Sequence, residues 1–318
     1  MREDNRRDTP VQVAYRPFGF STADRVRFVM EYVLSKVFYL WREVKTPRLR
    51  LFVYEIVLSL CLATGRDPLA MRWLRIDRVK TISGTFNVRP GTGDVGCASP
   101  AFERSDINHF LALIEKSLIA GRSVLFLDIG ANIGTYSVAI GNRLNKHGDI
   151  RVLAFEPSRS NFALLKRNLE DNGLTGIVEA RQVALGDGSA SSATLRFDPL
   201  IPGGSLLGGV ASEGTVYEEV ALSSLDAEIA NEVFDLLAIK MDVEGSEVPV
   251  LLGATEALRS APEALLIVED FIDTGVVDYL QNTGWQFNTK ITPYNSFWSR
   301  HRAEHLPEGH VGVTHNTI

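Results

Sequence analysis

Residues 124–136, reading VLFLDIGANIGTY, narrow the choice of fold more than any other part of the chain. Val124-Leu125-Phe126-Leu127 is a short apolar run, long enough for a strand buried on both faces. It stops at Asp128. Gly130, Ala131 and Gly134 then strip side chains from a turn, and Tyr136-Ser137-Val138-Ala139-Ile140 begins a helix. A strand, a small-residue turn and a helix N-terminus make the nucleotide-type crevice of an open α/β sheet. The plain alternative is a glycine turn with a helix-capping Asp. Later motifs that fall where a crevice needs them weigh against it.

Asp128 narrows the ligand. A dinucleotide or nucleoside triphosphate brings phosphate oxygens down onto the glycine turn, and a carboxylate at its mouth opposes them. The P-loop spacing is absent because no Lys follows Gly134, and Asp128 stands where G-x-G-x-x-G has its first glycine. An adenosine that lacks phosphate and carries positive charge suits this turn better. S-adenosylmethionine is such a ligand.

The chain of 318 residues is long enough for one substantial domain with an extension. Two cysteines, Cys61 and Cys97, without a C-x-x-C, read as free thiols of a reducing, cytoplasmic compartment rather than a disulfide framework or zinc site. The net charge of −6 hides an asymmetry. Residues 1–80 carry 16 Lys+Arg against 9 Asp+Glu, and the rest carries 17 against 30. The acidic part argues against a nucleic-acid partner. The first ten residues, MREDNRRDTP, are too polar for the apolar region of a secretory signal, and 51–63 is short for a membrane span and contains Glu55.

Apolar spacing predicts helices over 24–44, 49–63 and 69–76. This basic extension, residues 1–78, reads either as a cap on the main domain or on a second copy of the chain, or as a membrane-surface helix pair over 24–63. A β-rich stretch at 79–88 is broken by Gly84, and a helix is expected over 106–119. Beyond the central turn, strands are expected at 151–155, 177–183, 234–241, 264–269 and 285–291. Helices are expected between them, at 136–144, 161–172, 247–258 and 276–282. Such alternation means a mostly parallel sheet with helices on both faces. Two strands, 193–197 and 216–222, interrupt it around a glycine-rich loop at 201–209, either a hairpin connection or a loop over the crevice. The tail beyond 293 is expected to hold one edge strand, 310–314. His301 and His305 have the spacing of a metal pair on a helix, but no third ligand accompanies them.

Three further motifs carry chemistry. Glu156 closes the strand 151–155, with Pro157 after it, and an acid there can accept both hydroxyls of a ribose. Its plain alternative is a helix cap. Val183-Ala184-Leu185-Gly186-Asp187 would give a flat apolar surface for an adenine. Lys240, Asp242 and Glu244 alternate at the end of another strand, where open α/β sheets bind ligands. Asp242 is the first candidate for a general base and Glu244 the second, while Lys240 either stabilises an alkoxide or pairs with Asp242. A structural ion pair is the plain alternative. An acidic cluster of this kind also suits Mg²⁺, and the residues alone leave base and metal open.

LDIGANIGTYS, AFEP, VALGD, SLD at 224–226 and IKMDVEGSE, in that order, resemble the FkbM family of S-adenosylmethionine-dependent methyltransferases. The resemblance covers about residues 80–290 and implies a Rossmann-like class I methyltransferase fold with a seven-stranded sheet, here within residues 79–318. It implies O-methylation of a hydroxyl on a sugar, glycolipid or polyketide-type metabolite. Carried over, Asp128, Gly130, Ala131, Asn132 and Gly134 form the cofactor turn, Glu156 and Pro157 hold the ribose, and Val183 and Ala184 line the adenine. Glu103 would reach the methionine end. The resemblance says nothing of residues 1–78. Two other readings remain at this point: a non-catalytic cofactor-binding scaffold at a membrane, and a dinucleotide-dependent oxidoreductase, against which Asp128 speaks.

Overall fold

The computed structural model describes residues 76–99, 102–198, 201–207, 215–270, 273–292 and 294–302. The helices expected at 24–44 and 49–63, the membrane contact expected there, and the edge strand at 310–314 lie outside these residues. No helix among the described residues is long and apolar enough to cross a membrane.

Seven strands form the central sheet: β3 (Val124–Ile129), β4 (Ile150–Phe155), β5 (Val178–Arg181), β10 (Leu236–Met241), β11 (Glu263–Glu269), β12 (Gln286–Lys290) and β13 (Asn295–His301). Their spatial order is β12-β13-β11-β10-β3-β4-β5. The strands from β11 to β5 run parallel, and β13 runs antiparallel to both its neighbours. The chain order thus reverses between β3 and β10, which is where an open α/β sheet places its ligand crevice. This is the Rossmann-like class I methyltransferase architecture.

The inner strands β3, β4, β10 and β11 are mostly apolar because each feeds two cores. Val124 and Phe126 of β3 join one core with helices Arg104–Ile119, Thr135–Leu144 and Arg159–Asp171. Leu125, Leu127 and Ile129 join the other, with helices Glu247–Leu252, Thr255–Ser260 and Val276–Asn282. Asp128 and Lys240 are register partners on β3 and β10, on the side of the first core.

Several expectations are refined or corrected. The β-rich stretch 79–88 is broken at Gly84 as expected, and its two halves pair as a hairpin, β1 (Arg78–Lys80) with β2 (Thr85–Asn87). The strand expected at 177–183 is β5, ending earlier, at Arg181; beyond it β6 (Ala184–Gly186) leaves the central sheet to pair with β9 (Val216–Ser224) in a second sheet of order β6-β9-β7-β8. In it β7 (Ser192–Asp198) pairs with β8 (Ile201–Leu207), so the glycine-rich loop is in fact a strand. The helix expected at 247–258 is two helices. Gly253 lies against β6 so closely that a Cβ there would meet the Gly186 carbonyl at 2.0 Å. Asp226 then caps the second helix, accepting from the amides of Glu256 (3.0 Å) and Ala257 (2.8 Å). His301 ends the strand β13 rather than lying on a helix, and His305 lies outside the described residues. Finally, β13 itself lies in the stretch read as a tail.

Candidate active site

A cleft open to solvent lies at the C-terminal ends of β3, β4 and β10. Its floor is the turn after β3. The amides of Gly130 and Ala131 both donate to the Phe155 carbonyl at the end of β4, at 3.1 and 2.9 Å. Gly130 has φ +75°, and a Cβ there would meet the Asp242 carbonyl oxygen at 1.9 Å. Only glycine lets the turn lie on the backbone of the β10 end. Gly134, φ +87°, starts the next helix and leaves room for Leu165.

Asp128 is buried beneath this turn and does not line the cleft. Its Oδ2 accepts from the Ser137 amide (3.0 Å) and hydroxyl (2.6 Å), which anchors the helix N-terminus. Glu156 is buried at the cleft wall. Its Oε2 accepts from the Asn132 amide at 2.8 Å, and its Oε1 from the Ser158 amide at 2.9 Å and Asn161 Nδ2 at 3.3 Å. Burial pushes this carboxyl up to about 7 against the pull of those donors. A carboxylate offers about four lone-pair positions, so capacity remains for a ligand hydroxyl. Pro157, Val183, Ala184 and Leu185 continue the wall.

Lys240 sits at the other end, 6% exposed. Its ammonium donates to the Gly130 carbonyl (3.2 Å) and Asp242 Oδ2 (3.3 Å) and lies 5.3 Å from the Tyr136 ring centre. Burial alone would lower its pKa; Asp242, Asp128 and Glu103 outweigh burial and hold it above the ordinary lysine value. β10 stops at Met241, so the alternation of Lys240, Asp242 and Glu244 ends in a turn with Glu244 at φ +49°. Asp242 and Glu244 still line the same cleft. Glu103 precedes the helix Arg104–Ile119 at φ +42°, with its Oε2 buried and unpartnered among the described residues. It does not line the cleft. Burial pushes its carboxyl up to about 7 although Lys240 pulls it down. The three non-glycine residues with positive φ among the described ones are Glu103, Asn132 and Glu244. Such strain, about 1–3 kcal/mol each, concentrates where geometry serves a site.

Sequence reasoning passed over several groups here. Cys97, Phe102, Tyr136 and Leu195 also line the cleft, while Gly203 and Leu207 line it from the stretch 201–209 already offered as lying over the crevice. Burial pushes the Cys97 thiol up to about 12, so it is no thiolate nucleophile. Glu269 ends β11, and one carboxylate oxygen from each of Asp242, Glu244 and Glu269 lies within 4.8 Å of the other two. Three carboxylates this close hold either a proton or a cation between them. An acid closing a strand was the signal read at Glu156, and Glu269 carries the same one.

Comparison with known proteins gives a consistent picture. Residues 128–282 match the family model described as the Methyltransferase FkbM domain. The Hexuronic acid methyltransferase AglP of Haloferax volcanii is 29% identical over 168 residues, covering 53% of this chain and 65% of that protein. Methyltransferase sdnD of Sordaria araneosa is 36% identical over 118 residues, covering 37% and 43%. The chain thus spans less than two thirds of the length of these relatives. Among solved structures, the METTL16 MTase domain aligns over 85% of this chain and 91% of that one, at 11% identity and a TM-score of 0.40. The fold assignment rests on the strand order, and the family assignment on the matched motifs. Residues 128–282 of this chain are a methyltransferase domain of the FkbM family.

Proposed function

We propose that this chain transfers a methyl group from S-adenosylmethionine to a hydroxyl of a sugar, glycolipid or polyketide-type metabolite. The observation that carries the reading is the cleft itself. At one end it has a buried acid and at the other a Lys–Asp pair, with the glycine turn as the floor between them. The residues fit the cofactor on three counts. The turn leaves no room for a Cβ at Gly130. Asn132, which lines the cleft, has its Oδ1 buried without a partner among the described residues. Acidic groups outnumber Lys240 around the cleft, which favours a cation over a phosphate.

In this reading the turn 130–132, Glu156, Val183 and Ala184 hold the adenosine, and Lys240, under the charge of Glu103, faces the methionine end. S-adenosylmethionine supplies, when bound, a methyl group already activated on a positively charged sulfur. The protein's main task is therefore alignment, which can remove up to about 7–11 kcal/mol from a bimolecular barrier. Asp242 orients the acceptor hydroxyl and takes its proton, a contribution of roughly 10²–10⁴-fold. Lys240, fixed to the Gly130 carbonyl, holds Asp242 in place and links the two ends of the cleft. The hexuronic acid in the name of the Haloferax volcanii relative makes a glycan hydroxyl the first class to screen.

Asp242→Asn should lower methyl transfer about 100-fold or more while the affinity for S-adenosylhomocysteine changes less than threefold. Calorimetry and a methyl-transfer assay read the two effects separately. Undiminished turnover in that variant removes Asp242 as the base.

A further inference from the structure

Glu269 closes β11 beside the end of β10 and shares a carboxylate cluster with Asp242 and Glu244. Asp242 and Glu244 line the cleft and Glu269 does not. The charges that face Glu269 are those of Asp242, Glu244 and Glu103. Lys240 reaches Asp242, and Lys290 is taken up by Asp270, the residue after Glu269. Neither lysine makes an ion pair with Glu269. Two ionised carboxylates at this separation in a half-buried setting repel each other, and sharing one proton removes the conflict.

We propose that Glu269 is a positioning residue whose carboxyl group donates a hydrogen bond to Asp242 and aims that carboxylate at the acceptor hydroxyl. This rests on the hydroxyl-methylation reading and deepens it. Of the pair, Asp242 is the member exposed to the cleft and held by Lys240, so it carries the negative charge. Glu269 keeps the proton: burial pushes its carboxyl up to about 9, and Asp242 and Glu244 push the same way. In the reaction the acceptor hydroxyl gives its proton to Asp242 and its oxygen lone pair to the methyl carbon, whose bond to sulfur breaks with its electron pair left on the sulfur of S-adenosylhomocysteine. The Glu269 proton stays where it is.

The first test needs no turnover. In the full chain labelled with carbon-13 at glutamate carboxyls, one resonance disappears in Glu269→Gln. At pH 7 without added ligand it should stand at the protonated position, and Asp242→Asn should lower its midpoint by at least one pH unit. A resonance at the ionised position at pH 7 overturns the proposal. The second test is kinetic. Glu269→Leu should lower kcat at least tenfold with the acceptor KM within threefold, and Glu269→Gln, whose amide donates as the protonated acid does, should recover most of that loss. If Gln is as poor as Leu while both variants melt like the parent, the proposal fails. Micromolar Mg²⁺ uptake that Glu269→Gln abolishes would assign the cluster to a cation and also overturn it. If the chain binds no S-adenosylhomocysteine, the methylation reading fails while the resonance still reports the proton.

Discussion

Glu156 shows what a single residue does here. Its two oxygens fix the backbone of Asn132 and Ser158, so it shapes the wall before any ligand arrives. Glu156→Ala strands those buried amides, at about 1–3 kcal/mol for each left unsatisfied. The variant should melt several degrees lower and bind S-adenosylhomocysteine at least tenfold more weakly; unchanged affinity by calorimetry would remove Glu156 from the ligand. Gly130→Ala is harsher, because its Cβ has no space and its φ is positive. Complete loss of ligand binding is expected, and a variant that still binds would show that the turn is not the floor of the site. The sequence made Glu156, Lys240 and Asp242 visible because charged residues at the ends of apolar runs stand out. It did not make their partners visible. That Asp128 serves Ser137 rather than the cleft depends on a helix that turns back over the strand.

At the scale of elements, legibility followed hydrophobic pattern. β3, β4, β10 and β11 are runs of apolar residues, and they were read nearly to their ends. β13 was missed because Asn295, Ser296 and Ser299 interrupt it, and all three are buried. Asn295 gives its amide to buried Asp106, and the Ser296 hydroxyl accepts from the Trp298 indole at 2.8 Å. Polar residues fit this strand where partners satisfy them, Asp106 from a distant helix for Asn295 and Trp298 from the strand itself for Ser296. β8 was missed because Pro202, Gly203 and Gly204 disfavour a strand in isolation, and only pairing with β7 makes one. Trp298, 1% exposed, packs in the second core and edge-on to Phe287. Trp298→Ala should cost about 3–5 kcal/mol, measured by denaturant unfolding. A loss under 1 kcal/mol would mean β13 is not an integral strand. Asp226→Ala should cost about 1 kcal/mol through the lost cap.

The whole molecule carries an unusual titration load. Burial pushes Glu103, Glu156 and Glu244 up to about 7, Asp106 to about 6 and Glu269 to about 9. Unfolded, the glutamates titrate near 4.5 and Asp106 near 3.8. Between those values and the raised ones the folded chain binds more protons, so stability falls as pH rises through that window. The exposed acids whose values are lowered, Glu179, Asp187 and Asp235, lose stabilisation only as pH falls below the ordinary carboxylate range. The ligand-free protein should therefore melt higher at pH 5.5 than at pH 8.5, and Glu244→Gln should flatten the difference. A lower melting point at pH 5.5 would mean the carboxylates are already neutralised by a cation or are not buried as described.

Calorimetric titration of the purified chain with S-adenosylhomocysteine, with NADH in parallel, tests the central claim most directly. Micromolar binding of S-adenosylhomocysteine alone is the expected result. Tight binding of NADH, or no binding of S-adenosylhomocysteine by a folded sample, would contradict it.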